Sequence, residues 1–457
     1  MADARTLALE DQLRRNGPLT AAALGQALDV SQPTISRLLA SAGERIVRIG
    51  RARATRYALS RDIARAGTRW PLYRIDASGA SISLGQLRAL QGDGFHFEPS
   101  HPLPAFLHGE FADGLFPGLP WFLDDQRPQG FLGRTFVRRI AGDIGAPEDL
   151  ARWSADDVVL ALLRHGEDEP GDLVLGEAAL QRALHAILSP NAIASSERDT
   201  HYPVLAEAAL AGEDVGSSAG GEQPKFTALL REGSGFNAVI VKFSERTQTP
   251  AAQRWADLLR CEHLAGETLR ANGLDAASSQ ILEADGRVFL QSDRFDRTAV
   301  LGRRGLVSLA ALDAAYYGHG RINWWKFATE LHRDGWLDAK DAQALSVRGW
   351  FGALIGNTDM HLGNASLVLG DQRPLALAPS YDMLPMQFRP NSQGEIVPRT
   401  YQVSAPLPDH LMQWREAAEM ASVFWQRVAD DEAISPDFRV IADQASQALG
   451  AAVDRFG

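Results

Sequence analysis

The chain has 457 residues, 45% of them hydrophobic, and a formal net charge of −11, enough length for two or three domains with a sizeable core. Its one cysteine, Cys261, excludes an intramolecular disulfide, and no His/Cys spacing marks a structural zinc. No run approaches the ~18 apolar residues of a membrane span and the amino terminus lacks a secretory apolar stretch, so a cytoplasmic protein with no membrane partner is expected.

The first seventy residues hold twelve arginines, no lysine and six acids, a net charge of about +6 that leaves about −17 for the remainder. ARTLALEDQLRRN predicts a helix that stops at Gly17-Pro18. Thr20 is the expected N-cap of AAALGQAL, Asp29-Val30-Ser31 a tight turn, and Ser31 the cap of QPTISRLLASAG. In that last segment Ile35, Leu38, Leu39 and Ala42 share one helical face. Helix, short turn, helix is the arrangement that reads DNA, and RIVRIGRARATRYAL alternates around an arginine-rich tip as a winged hairpin would. Gln32, Thr34, Ser36 and Arg37 lie off the apolar face and are the expected groove-facing residues. Arg48, Arg51, Arg53 and Arg56 would approach phosphates or the minor groove. The other reading of this segment is a three-helix protein-interaction module, against which stands the positive wing on an acidic chain.

RDIARAGTRW then reads as a link. YRID and ASISL predict strands and QLRALQG a short helix, while Phe95 to Gly133, rich in proline, glycine and aromatics, reads as irregular. The pattern turns helical from Ala155 in DDVVLALLRHG, and GDLVLGEAALQRAL comes next.

GSSAGGEQPKF, Gly216 to Phe226, is a loop of small residues ending in a lysine. TALL, REGSG and NAVIVKFS then read as strand, turn, strand, with Lys242 in the second strand. Glycines let backbone N–H groups approach phosphate oxygens, and a strand lysine beyond such a loop can grip phosphates. No Gly-Lys-Ser/Thr opens a helix here, so this is not a Walker loop. The helical pattern RWADLLRCEHLAGETL carries Cys261 as a packing residue and offers Glu262, or Asp257, to aim that lysine; the plain alternative for either acid is a solvated face. GRVFLQSDRF predicts a strand, and beyond Arg297 the chain reads as mostly helical, with tryptophans in the core. In GNTDMHLGN stand Asp359, His361 and Asn364, followed by two short strands, ASLVL and LALA, and then Asp382 in SYDM. An Asp, an Asn five residues on, a hairpin and a second Asp is the order used for phosphoryl transfer, where the first Asp orients the hydroxyl nucleophile and the other two hold Mg²⁺. Taken singly these are common turn residues; loop, lysine, Asp–Asn pair and final Asp in one order argue for chemistry.

Four segments resemble the HipA family of serine/threonine kinases, the toxin kinases of bacterial toxin–antitoxin systems. Ser218-Ala219-Gly220-Gly221-Glu222-Gln223-Pro224-Lys225 is similar to the family's S-x-x-G-x-Q-x-K loop, and Asp293-Arg294-Phe295-Asp296-Arg297 to its E-R-F-D-R segment with Asp for Glu. Asn357 to Asn364 resembles N-x-D-x-H-x-x-N, and Tyr381-Asp382 the Y-D metal motif. The resemblance implies Asp359 as catalytic base, Asn364 and Asp382 as Mg²⁺ ligands, and His361 near the phosphates. It implies ATP contacts at Ser218, Gly220, Gly221, Gln223, Lys225, Lys242 and Tyr381, with adenine at the backbone of Asp293 and Phe295. It also implies inhibitory autophosphorylation of Ser218, or of Ser217 beside it, because a phosphoserine adds roughly −1.5 to −2 charges in a nest built for anions.

The expectation is an α+β, two-lobed HipA-like kinase behind a winged helix-turn-helix, divided at 1–66, 67–295 and 296–457. Its reaction would be ATP- and Mg²⁺-dependent phosphorylation of a serine or threonine. The resemblance suggests an aminoacyl-tRNA synthetase or another translation factor as protein substrate, though no residue names one. The rivals are a DNA-binding regulator with a nucleotide-sensing kinase-like lobe and a small-molecule kinase.

Overall fold

The structure, a computed structural model, describes residues 2–102, 109–211, 223–391 and 393–456. Its amino-terminal part runs α1 (Ala2–Asn16), β1 (Leu19–Thr20), α2 (Ala21–Leu28), α3 (Gln32–Ala42), β2 (Ile46–Ile49) and β3 (Arg56–Leu59), with a three-stranded sheet in the order β1-β3-β2. Leu9, Leu13, Leu24, Ile35 and Leu38 close one small core between the helices. Thr20 caps α2, accepting from Ala23 N at 3.2 Å. Ser31 does not cap α3 in the expected way: its hydroxyl meets Thr34 Oγ1 at 3.0 Å and no backbone N–H. Asp29 takes a left-handed conformation, φ +49°, in the turn between α2 and α3. Gly25 permits the helix to approach that turn, since a Cβ there would lie 3.1 Å from Val30 O.

The amino-terminal part packs against the middle region of the chain rather than hanging from it on a tether. Val47, Ile49 and Ala58 bury against Leu90, and the main chain joins at Arg61 N to Ala89 O and Gln91 N to Leu59 O, both 2.9 Å.

The middle region holds β4 (Arg69–Ile75), β5 (Ser81–Ala89), β6 (Phe95–Pro99), β7 (Leu115–Phe116), α4 (Gly130–Ile144), α5 (Ala155–His165), β8 (Leu173–Leu175) and α6 (Glu177–Leu188). Its sheet is antiparallel in the order β7-β6-β5-β4-β8. Two expectations are corrected. QLRALQG is not a helix: β5 continues to Ala89, with Leu87 and Ala89 buried and Gln86 and Arg88 partly exposed, the period of a strand held between β4 and β6. Nor is Phe95 to Gly133 irregular throughout. Strands β6 and β7, a 3₁₀ turn at Trp121–Gln126 and the start of α4 lie in it, and its aromatics pack edge to face, Phe97 and Phe116 each 5.7 Å from Phe122.

Then come β9 (Ile193–Ala194), α7 (Arg198–Ala211), β10 (Lys225–Glu232), β11 (Gly235–Phe243), α8 (Pro250–Ala271), β12 (Ser279–Ala284) and β13 (Arg287–Asp293). They form a sheet in the order β12-β13-β11-β10-β9 with α8 against it. The last part contains β14 (Leu306–Ser308), α9 (Leu309–Tyr316), α10 (Trp324–Arg333), α11 (Ala339–Leu354), β15 (Ser366–Val368), β16 (Ala376–Leu377), α12 (Leu411–Asp430) and α13 (Pro436–Phe456). A small sheet, β14-β15-β16, faces the cleft between the two lobes. Cys261 is fully buried in the same apolar core as Trp350, Trp414 and Trp425. Among the described residues no helix is long and apolar enough to cross a membrane.

Candidate active site

Strand period sets the upper wall of the cleft. Val239, Val241 and Phe243 of β11 bury into a cluster with Tyr202, Phe226 and Phe289, so Ile240 and Lys242 point the other way, into the cleft. Lys225 pairs with Lys242 in the β10–β11 register and also lines the cleft. The Lys242 ammonium donates to both Glu262 oxygens at 2.6 and 2.8 Å and to the Asp382 carboxylate. Burial opposes the charged lysine, but Asp382 and Glu262 outweigh it and raise its pKa above the ordinary value. Burial likewise opposes ionisation of Asp382, and Lys242 and then Lys225 overcome it, so its pKa is lowered. Glu262 shares the same lysine and is buried, which leaves its pKa raised. Asp257, five residues earlier, is turned about 140° round the helix and instead holds the start of α13, accepting from Ser435 N at 2.9 Å and Ser435 Oγ at 2.6 Å.

The lower wall is stitched by side-chain amides. Asn357 Oδ1 accepts from Asp359 N at 3.0 Å, and its Nδ2 donates to Asp382 O at 3.2 Å. Asn364 Nδ2 donates to Asp359 O at 2.7 Å, which turns its oxygen away from that bond as an acceptor. His361 Nδ1 accepts from Gly363 N at 3.1 Å. The β15–β16 hairpin returns the chain to Tyr381, whose hydroxyl donates to Gly363 O at 2.9 Å and meets Ser366 Oγ at 2.7 Å. Asp382 comes next at φ +53°, a left-handed backbone that a non-glycine residue adopts only when its surroundings impose it.

Between the walls is a cavity of about 310 Å³. Lys225, Lys242, Glu262, His361, Asn364 and Asp382 line it, together with Ile240, Ser292, Asp293, Phe295 and Tyr381. Asp359 is half-exposed and, like Gln223, lies outside that wall. Ser217, Ser218, Gly220 and Gly221 lie outside the described residues. The sequence did not reveal the part played by Asn357, which ties the Asp359 loop to Asp382, nor that Asp124 and Asp125 of the middle region reach the cavity.

The D-R-F-D-R segment also does something local order does not announce. Arg294 donates to both oxygens of Asp168 at 2.9 Å, and Arg297 donates to Asp168 at 2.8 Å and to Asp296 at 2.7 Å. These arginines clamp the middle region to the cleft. Glu169 beside them is buried with Oε2 unpartnered among the described residues, and burial, then the Asp168 charge, push its pKa up to about 8. Folded Glu169 therefore keeps its proton as pH rises past the ordinary 4.5, while the unfolded chain releases it. Its stabilising contribution is full below about 4.5 and lost as pH rises through about 8. Glu169→Gln should raise the melting temperature by a few degrees at pH 8, an advantage that shrinks toward pH 5, measured by thermal melts across that range.

On the amino-terminal part Gln32, Ser36, Arg37, Arg48 and Arg51 are exposed and Thr34 is half-buried. Arg37 reaches Thr34 Oγ1 at 3.5 Å. Arg56 departs from its expected place among phosphate-seeking arginines: its guanidinium pairs with Asp113 of the middle region. The Arg53 side chain lies outside the described residues.

Residues 217–453 match the family described as HipA-like C-terminal domain, and residues 66–184 the one described as YjjJ-like toxin, middle domain. The chain belongs to the HipA-like family of toxin kinases and carries its two-lobed kinase fold. Toxin YjjJ of Escherichia coli is 39% identical over 437 residues, covering 95% of each chain. Among solved structures, the Shewanella oneidensis HipA in complex with HipB and operator DNA is similar with a TM-score of 0.49 at 16% identity, over 84% of this chain and 97% of that one. The Helicobacter pylori proinflammatory kinase CtkA is similar with a TM-score of 0.37 at 12% identity, over 52% of this chain and 92% of that one.

Proposed function

We propose that the protein is an ATP- and Mg²⁺-dependent kinase that transfers a phosphoryl group to serine or threonine hydroxyls, its own Ser218 or Ser217 among them, and binds DNA through its amino-terminal part. One observation carries the first half of the reading. Lys242 is clamped by Glu262 next to Asp382 and within one cavity with Asn364, so a fixed cation and two oxygen donors converge where phosphates would lie. Two side-chain oxygens suit a hard cation that completes its shell from phosphates and water. Bound there, Mg²⁺ would neutralise charge on the transferring group. Asp359 would orient the attacking hydroxyl, and Lys242 would hold phosphate oxygens. Asp293 N is already bonded to Ser278 O at 2.8 Å, so Asp293 would offer adenine its carbonyl.

The test is incubation of the full chain with γ-labelled ATP and Mg²⁺, then phosphopeptide mapping. Label on Ser218 or Ser217 is expected, lost in the Ser217→Ala/Ser218→Ala double variant. Label confined to other residues would remove the loop switch from the reading, and an absence of label on the chain and on host proteins would remove the kinase.

A further inference from the structure

The 3₁₀ turn Trp121–Gln126 belongs to the middle region, yet Asp125 on it lines the cleft. Its neighbours hold it firmly. Trp121, Phe122 and Leu123 are buried, and Gln126 Nε2 donates to Leu173 O at 2.9 Å. Asp125 Oδ2 accepts from Ser308 N at 2.6 Å and Oδ1 from Ser308 Oγ at 2.5 Å. Ser308 ends β14, caps α9 by accepting from Ala311 N at 3.0 Å, and faces Ser366 in the β14–β15 register. The next residue, Leu309, donates its N–H to Ala365 O at 2.8 Å, directly after Asn364. Ser366 in turn meets the Tyr381 hydroxyl at 2.7 Å, directly before Asp382. Asp125 thus backs, through one serine, the main chain on which both oxygen donors of the cleft are mounted.

We infer that Asp125 is a positioning residue of the metal corner: it holds Ser308, and through the β14–β15 pairing the backbone of Asn364, so the middle region completes the cleft. This rests on the reading of Asn364 and Asp382 as metal ligands. The residue type fits the task. A carboxylate can accept from the N–H and the O–H of one serine at once, whereas an amide has a single acceptor oxygen. Burial raises its pKa to about 6 against those two bonds, and among the described residues no cation pairs with it. An acid placed for simple charge balance would have one.

The experiment is Mn²⁺ binding by electron paramagnetic resonance on the full chain with ADP, beside ADP binding in EDTA. Asp125→Ala should weaken Mn²⁺–ADP binding about 10-fold or more, the scale of losing a group that orients a ligand, with ADP affinity in EDTA within about twofold of wild type. Asp125→Asn, which retains one acceptor, should recover part of the loss and serves if the alanine variant fails to fold. Unchanged Mn²⁺ affinity in either folded variant, or equal losses with and without metal, overturns the inference. Asp382→Ala is run in parallel: if it too leaves Mn²⁺ binding unchanged, or wild type binds no Mn²⁺–ADP, the ligand reading fails and this inference with it.

Discussion

Asp382→Asn should lower autophosphorylation by about 10³-fold or more, and Asp359→Ala by about 10²–10⁴-fold, with melting temperatures near that of wild type. The two losses differ in kind. Asp359 is half-exposed, carries no ion pair among the described residues, and takes part in the lower wall through its backbone, so removing its carboxyl leaves the stitching by Asn357 and Asn364 intact. Asp382 contributes one of two carboxylates on Lys242; with the amide in its place the lysine keeps Glu262 and the cation stays paired. Lys242→Ala would confound the test. It strips the hydrogen-bonded cation from buried Glu262 and from part-buried Asp382 at once, and breaking a buried pair costs about 3–5 kcal/mol on its own. The measurement is the initial rate of label incorporation from γ-labelled ATP beside a thermal melt of each variant. Rates within about tenfold of wild type in folded Asp359→Ala and Asp382→Asn proteins would sink the kinase reading at these positions and leave the nucleotide-sensing regulator standing.

What the sequence displays is what local order encodes. Strand alternation from Val239 to Phe243 places Lys242 opposite the buried residues, and a turn-rich stretch with Asp359 and Asn364 before a short hairpin leads to Asp382. The separation of 140 positions between Lys242 and Asp382 matters little, because each sits in a recognisable local setting. Helix α8 hides its choice of acid: Asp257 and Glu262 are both buried, on different faces, and only the packed partner, Ser435 or Lys242, separates them. QLRALQG misleads because Leu87 and Leu90 are three apart, as in a helix, while Leu87 and Ala89 are two apart, and flanking strands decide between the periods. Asp125 and Asp168 leave no local trace, since their partners lie 183 and 126 residues away and the surrounding composition resembles a loop.

Salt should set the strength of DNA binding, and two arginines should divide its two components. The amino-terminal seventy residues carry about +6 on a chain of −11, so affinity for any duplex depends on counterion release and falls steeply as salt rises. Arg51 is exposed at the hairpin tip, clear of the apolar face that docks on Leu90. Arg51→Ala should weaken binding to all duplexes alike and lower the slope of log affinity against log salt by about one. Arg37 projects from α3 among Gln32, Thr34 and Ser36. Its removal should cost about 1–3 kcal/mol at the preferred site and little on random sequence, because a lost base contact removes discrimination. Arg56→Ala is the internal contrast. Its guanidinium is spent on Asp113, so it should change affinity much less than Arg51→Ala does. Mobility-shift titrations of the full chain at several salt concentrations, on the duplex upstream of its own reading frame and on a random duplex, give all three answers. Binding to neither duplex at low salt would end the DNA reading and assign the three helices to contacts with another protein; a loss at Arg56 equal to that at Arg51 would mean that the Asp113 pair opens when DNA arrives.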